Sequence, residues 1–207
     1  MAQKEAVRQF KKGLISEACH QLFCERCYEA VTVQDIADAA GMGKATLYQY
    51  FESKEEILFS LLRRSSDEIN RMIEACCDKG QDPYITLKEV ISLTYRQYLE
   101  NNRIFLTYLA LKRNAAFKRE WVGELHALRD RKFELLATVL EKGTKQGVFI
   151  QVDSRRFARV LNNILRGFSL EPLETWQGEP IRELGEEIIQ SIIFKGILAD
   201  GGGLTSE

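Results

Sequence analysis

Residues 32–56, TVQDIADAAGMGKATLYQYFESKEE, constrain the fold of this chain more than any other segment. Thr32 is a residue type suited to cap a helix N-terminus, and Asp35, three positions on, can return a hydrogen bond to the cap. Ile36, Ala37 and Ala40 then supply an apolar face of mostly small residues, against which a second helix can cross closely. Gly41 follows where the chain has to turn, and glycine takes up positive φ without the penalty a Cβ brings. A second short helix is predicted over residues 44–51, burying Leu47 and presenting Lys44, Thr46, Tyr48 and Gln49 elsewhere on its surface. Short helix, glycine turn and polar-faced helix make a helix-turn-helix, whose second helix enters the DNA major groove.

The remainder also reads as helix. There are only three prolines in 207 residues, and no β-type alternation of any length. Over residues 4–26 a helical stripe runs through Val7, Phe10, Leu14, Ala18 and Leu22. Ser53 and Glu56 have the spacing of a capping box, opening a long helix over residues 54–77 that ends at Lys79 and Gly80. Gln81, Asp82 and Pro83 form a break. Further helices are predicted over residues 84–101, 103–113 and 117–146, the last ending at Gly147. Asp153 or Ser154 caps one that runs to about Leu170. After Glu179 and Pro180 comes a final helix with Leu184, Ile188, Ile189, Ile192, Ile193, Ile197 and Leu198. The expectation is an all-α fold of about nine helices. It divides into a head at residues 1–52, a helical-bundle domain at 53–200 and a frayed tail at 201–207.

The stretch GMGKATLYQYFESKEEIL resembles the signature of the TetR family of transcriptional regulators, with its glycine turn, Thr-Leu-Tyr helix, Tyr-Phe pair and Ser-Lys-Glu-Glu helix start. The resemblance continues back through LISEACHQLFCERCYEAVTVQDIADAAG and covers roughly residues 7–62. Two positions depart from the family pattern: Gly43 stands where a capping serine is usual, and Cys27 where glycine is frequent. Glycine is an adequate cap, so the reading survives the first departure.

In such a head Lys44, Thr46 and Gln49 would approach base edges, and Thr32 and Ala45 are counted with them as DNA-binding residues. Tyr48 and Tyr50 carry hydroxyls suited to phosphate oxygens, and Lys54 stands at a helix start where its charge and free N–H groups would face an anion. Formal net charge is −1, yet Lys4, Arg8, Lys11 and Lys12 against Glu5 leave the N-terminal end positive. Binding to double-stranded DNA would therefore use a small footprint, duplicated by dimerisation on a palindromic operator.

Beyond the head, Tyr84, Tyr95, Tyr98, Phe105, Tyr108, Phe117, Trp121, Phe133, Phe157, Phe168 and Trp176 are spread over the predicted helices. Tyr98, Tyr108, Trp121 and His126 combine a ring with a polar handle and are the candidates for a pocket holding a small apolar or aromatic effector. Phe157, Val160, Leu161, Ile164, Leu165 and Phe168, with Ile189, Ile192 and Ile193, exceed what one bundle face needs. Paired across a two-fold axis they would form the four-helix homodimer interface that the resemblance implies.

The 45% hydrophobic content is ordinary for a globular protein, and no apolar run approaches membrane-spanning length. The start lacks a signal-peptide core, so a cytoplasmic location is expected, and five cysteines then read as reduced thiols. Cys24 and Cys27 have the spacing of a thiol pair or half a zinc site, but no second pair and no βαβ context accompany them. Cys76 and Cys77, adjacent on a helix, point about 100° apart and read as packing residues. G-x-S-x-G, H-E-x-x-H and a phosphate-cradling glycine loop are all missing, and there are two histidines in all. The expectation is a regulator, not an enzyme, with no cofactor and no metal. It would act as a repressor, its effector changing the spacing of two heads through the long helix. Rivals are the same head switched by oxidation or metal at Cys24 and Cys27, and a helical interaction module without DNA function.

Overall fold

The periodic segments fold as nine α-helices in the computed structural model, which describes residues 2–113, 117–170 and 181–199. In order they are α1 (Ala2–Glu25), α2 (Val33–Ala39), α3 (Lys44–Leu47), α4 (Lys54–Asp78), α5 (Pro83–Glu100), α6 (Asn102–Arg113), α7 (Arg119–Lys145), α8 (Ser154–Leu170) and α9 (Ile181–Ile197). A 3-10 turn, Tyr28–Ala30, joins α1 to α2. No helix among the described residues is long and apolar enough to cross a membrane. The expectations placed on Trp176, on the break at Glu179 and Pro180, on the side chain of Leu184 and on the tail at 201–207 fall outside the described residues.

The helix ends follow local chemistry. Asp153 caps α8, its Oδ1 accepting from the Arg156 N–H at 3.0 Å. At the start of α4 the Ser53 hydroxyl accepts from Glu56 N–H at 3.1 Å. Glu56 does not complete the box on Ser53. Its carboxylate takes the N–H of Glu52 at 2.6 Å, one residue earlier, so the orphan donor it satisfies belongs to the turn before α4.

Two compact units emerge, Met1–Ser66 with Asn101–His126, and Asp67–Glu100 with Ala127–Glu207. This division differs from the predicted break after residue 52, and the reason is apolar burial. In the first unit Ile15, Cys19 and Phe23 of α1, Ile36 and Ala37 of α2, Leu47 of α3 and Ile57 and Leu58 of α4 share one core with Ile104, Tyr108, Phe117 and Leu125. The Arg103 guanidinium also donates to the Cys24 carbonyl at 2.9 Å. The α1 stripe is re-cut as well. Val7, Phe10 and Leu14 are exposed, Phe10 at 65%, and the buried face begins only at Ile15.

The second unit packs Ile69 and Ile73 of α4, Leu87, Val90, Ile91, Tyr95 and Tyr98 of α5, Leu136 and Leu140 of α7, Leu161 and Leu165 of α8, and Ile189, Ile193 and Ile197 of α9. Here the predicted dimer stripe splits in two. Leu161, Leu165, Ile189 and Ile193 are core residues of this unit, and Phe157 and Ile164 are half-buried against it. Of the predicted set Val160, Phe168 and Ile192 are exposed, and Ile188 joins them, with Ile192 at 58% and Val160 at 54%. A helix of period 3.6 carries two apolar faces when its apolar residues outnumber one stripe. The sequence count mixed the face turned to the unit's own core with the one turned away.

Candidate nucleic-acid interface

The turn of the helix-turn-helix is built from backbone hydrogen bonds. Gly41 sits at φ 66°, its N–H donating to Asp38 O at 3.0 Å, while Met42 N–H donates to Ala37 O at 3.0 Å. That pair of bonds is a Schellman ending, which requires a left-handed residue at this position. At the other end of α2 the predicted capping box is present: Asp35 N–H donates to Thr32 Oγ1 at 3.1 Å, and Thr32 N–H donates to Asp35 Oδ2 at 2.7 Å. Those bonds from Thr32 hold the Asp35 carboxyl below the usual carboxylate range. The hydroxyl of Thr32 is therefore already employed in the cap.

α3 is shorter than predicted. Regular helix covers Lys44–Leu47, after which Gln49 N–H and Tyr50 N–H donate to Thr46 O and Leu47 O, three residues back, at 3.1 and 2.9 Å. The helix gives way to a turn in which Phe51 N–H still reaches Leu47 O at 3.2 Å, and the Phe51 ring goes into the core, where it is 2% exposed. Lys44, Ala45, Tyr48 and Gln49 remain exposed on this short unit, and Thr46 and Tyr50 are half-buried. Leu47 is buried, and these six are the side chains around it that stay at least partly accessible.

Lys54, expected to face an anion, also has partners within the head. Its ammonium donates to Tyr28 O at 2.7 Å and Val31 O at 2.8 Å and lies 3.8 Å from the centre of the Tyr28 ring. Burial pulls its pKa below the ordinary lysine value, with Glu55 and Glu29 opposing. Next to it Tyr28 donates its hydroxyl to Glu55 Oε1 at 2.6 Å. Burial alone would raise the Glu55 pKa, but the bonds from Tyr28, the backbone and Ser53, with the Lys54 charge, leave it lowered. Lys54 and Tyr28 thus clamp the start of α4 to the linker after α1, two N–H donors being spent on carbonyls. The residue missed by sequence reasoning is Tyr28, whose partners lie 26 and 27 positions away and leave no local signal. Lys54→Met is expected to lower the head's stability by about 1–3 kcal/mol, because it leaves two carbonyls short of a donor. The salt slope of DNA binding should stay unchanged; a flatter slope would return Lys54 to the phosphate footprint.

The effector candidates divide. Tyr98 belongs to the second unit, whereas Tyr108, Trp121 and His126 belong to the first. There Phe117 bridges two of them, 5.3 Å from Tyr108 and 5.4 Å from Trp121, and Trp121 stacks on Phe59 at 5.1 Å. His126 Nε2 meets Lys112 Nζ at 3.2 Å. At the thiol pair, Cys24 Sγ stands 3.9 Å from His20 Nδ1, and Cys27 is exposed. Burial raises the Cys24 pKa, with Arg103 opposing and Glu25 adding, which reduces the thiolate that redox or metal chemistry needs. Among the described residues no group of three or more His, Cys, Asp or Glu is placed to hold a metal ion.

Residues 15–61 match the family described as bacterial regulatory proteins, tetR family. The chain also aligns, over 87% of its own length and 97% of the other, with the structure of a TetR family transcriptional regulator, PfmR from Thermus thermophilus, at TM-score 0.71 and 30% identity. The chain belongs to the TetR family. This TetR-family chain is 31% identical over 144 residues to the HTH-type transcriptional repressor KstR2 of Rhodococcus jostii (strain RHA1), covering 62% of each. It is 26% identical over 168 residues to the fatty acid metabolism regulator protein of Bacillus subtilis (strain 168), covering 78% of this chain and 81% of that one. The match to KstR2 thus spans less than two thirds of that relative. The relatives this chain matches are transcriptional regulators, not enzymes.

Proposed function

We propose that this chain is a sequence-specific transcriptional repressor that binds a palindromic operator in double-stranded DNA as a homodimer and leaves it when a small, largely apolar effector binds. The observation that carries the reading is the presentation surface of α3: Lys44, Ala45, Tyr48 and Gln49 stand exposed on a unit held from below by Leu47 and Phe51. Gln49 matches the donor–acceptor edge of adenine, Lys44 reaches guanine, and the Thr46 methyl suits thymine. One such short unit makes few contacts, so useful specificity asks for two, one per half-site, about one helical turn apart. The outward apolar residues Val160, Phe168, Ile188 and Ile192 are the surface a second copy would cover. Similarity to a repressor and to a fatty acid metabolism regulator supports release by a molecule with an apolar body.

Selection of bound duplexes from a random pool tests this directly, and a recovered palindrome is the expected result. Recovery of no enriched sequence would favour the interaction-module rival. Gln49→Ala should then cost about 1–3 kcal/mol on the selected site and relax preference at one base position. Equal losses on random DNA would move Gln49 to the phosphate backbone.

A further inference from the structure

The second unit buries one cation that its core does not require, Lys132, beside the half-buried Arg166, with Arg129 and Arg159 exposed nearby. Lys132 of α7 is 5% exposed, Tyr98 of α5 6% and Asn162 of α8 3%. The Lys132 ammonium donates to the Tyr98 hydroxyl, which donates in turn to Asn162 Oδ1. Arg166, one turn along α8 from Asn162, holds its guanidinium 4.2 Å from the centre of the Tyr98 ring. At the other side Arg159 and Arg129 lie over the Phe133 ring at 5.7 and 5.6 Å, and Arg129 is paired with Asp130.

Among the described residues neither Lys132 nor Arg159 forms an ion pair with a carboxylate. Taking an ammonium out of water costs several kcal/mol, and a phenol returns only part of it. Burial pulls the Lys132 pKa below the ordinary lysine value; Tyr98 opposes this, while Arg166 and Arg129 add to it. Burial would raise the Tyr98 pKa, but Lys132 and Arg166 outweigh it and leave the phenol lowered. The phenol therefore registers the positive charge of Lys132 and Arg166, whereas the ammonium registers chiefly its burial. Nearby the Thr94 hydroxyl, fully buried one turn before Tyr98, has no hydrogen-bond partner among the described residues, and Asn162, which accepts through its Oδ1, carries an amide NH2 as a further donor. As a mere strut between α5, α7 and α8, an apolar side chain of the same size would serve without the desolvation cost.

We propose that Lys132, Arg166 and the Asn162 amide form the anion subsite of the effector site, receiving the carboxylate or phosphate oxygens of a molecule whose remainder is apolar. This rests on the effector-released regulator described above and assigns the effector its chemical class. On binding, the ammonium exchanges a phenol acceptor for a full anion, and charge-assisted bonds of that kind are about twice as strong as neutral ones. The apolar remainder would meet Leu136, Leu161 and Leu165, fully buried within a turn of these polar groups.

Three probes of one chain length separate the possibilities on the full chain: decanoate, decyl phosphate and 1-decanol, each followed by calorimetric titration and by thermal shift. The wild-type chain should bind at least one of the two anions tenfold or more tighter than the alcohol. The tighter anion distinguishes carboxylate from phosphate. Lys132→Met, close in size and apolar, should keep the fold and lose the preference for anion over alcohol. Should Lys132→Met not fold, Arg166→Gln at its half-buried position carries the same expectation. Equal affinity for all three probes, binding of none, or an anion preference that survives the substitution would overturn the subsite. Operator selection with the same preparation is independent of this outcome. A palindrome recovered while the three probes bind alike removes the subsite and leaves the regulator standing.

Discussion

Phe51→Ala is expected to cost the first unit about 3–5 kcal/mol, the range for deleting a fully enclosed aromatic ring. Phe51 is 2% exposed, shares its core with Leu47, Ile57 and Leu58, and carries the Lys12 ammonium 5.0 Å from its ring centre. α3 has one regular turn, too little to persist without tertiary support. Losing the ring therefore loosens Lys44, Thr46 and Gln49 together, although none of them is altered. Urea unfolding followed by circular dichroism should show the lower midpoint, and DNA binding should weaken on every sequence alike. Phe51→Leu, which keeps most of the volume, should retain both. A Phe51→Ala chain with an unchanged midpoint would show that α3 is held from elsewhere.

Gly143→Ala is expected to destabilise the second unit by about 2 kcal/mol, against the helix propensity that favours alanine by about 1 kcal/mol. A Cβ at Gly143 would overlap Cδ2 and Cε2 of the Phe149 ring and stand 3.1 Å from its Cγ. The ring cannot retreat easily, because Phe149 is fully buried and its N–H donates to Gly143 O at 3.2 Å. Gly147, at φ 73°, ends α7 by returning Val148 N–H to the same carbonyl at 2.9 Å. The flanking chain is fixed too, with Ile150 N–H on Ile197 O at 2.8 Å and Ala199 N–H on Val148 O at 3.1 Å. Phe149→Leu removes ring atoms at the point of overlap, so the double variant should be more stable than the sum of the two singles. Additive losses in the double-mutant cycle would mean that the two residues do not meet as described.

The helix-turn-helix was legible in advance because its determinants act over a few residues. The Thr32–Asp35 cap, the glycine ending at Gly41, the start of α8 at Asp153 and the end of α7 at Gly147 each depend on hydrogen bonds spanning five residues or fewer. Periodicity likewise identified which segments are helical, since an apolar stripe and a helix share one period. The length of α3 was overstated for a related reason: nothing in LYQYF announces that Phe51 must turn inward, and that demand comes from the core.

Sequence alone, then, determined the class of fold, the family resemblance and the exposure of the polar side chains of α3, all of them set by local pattern. Tertiary structure alone decided where long side chains and second apolar faces go. Lys54 bonds carbonyls 23 and 26 positions away, which makes it a clamp at the foot of α4. Leu161 and Ile193 turn inward while Val160 and Ile192 turn out, a choice made by the neighbouring helices and not by composition. Lys132, in sequence an ordinary charge on an amphipathic helix, is buried against Tyr98 and 34 positions from it. A lysine stem is long enough to end in solvent or in a core, and only the packing around it settles which.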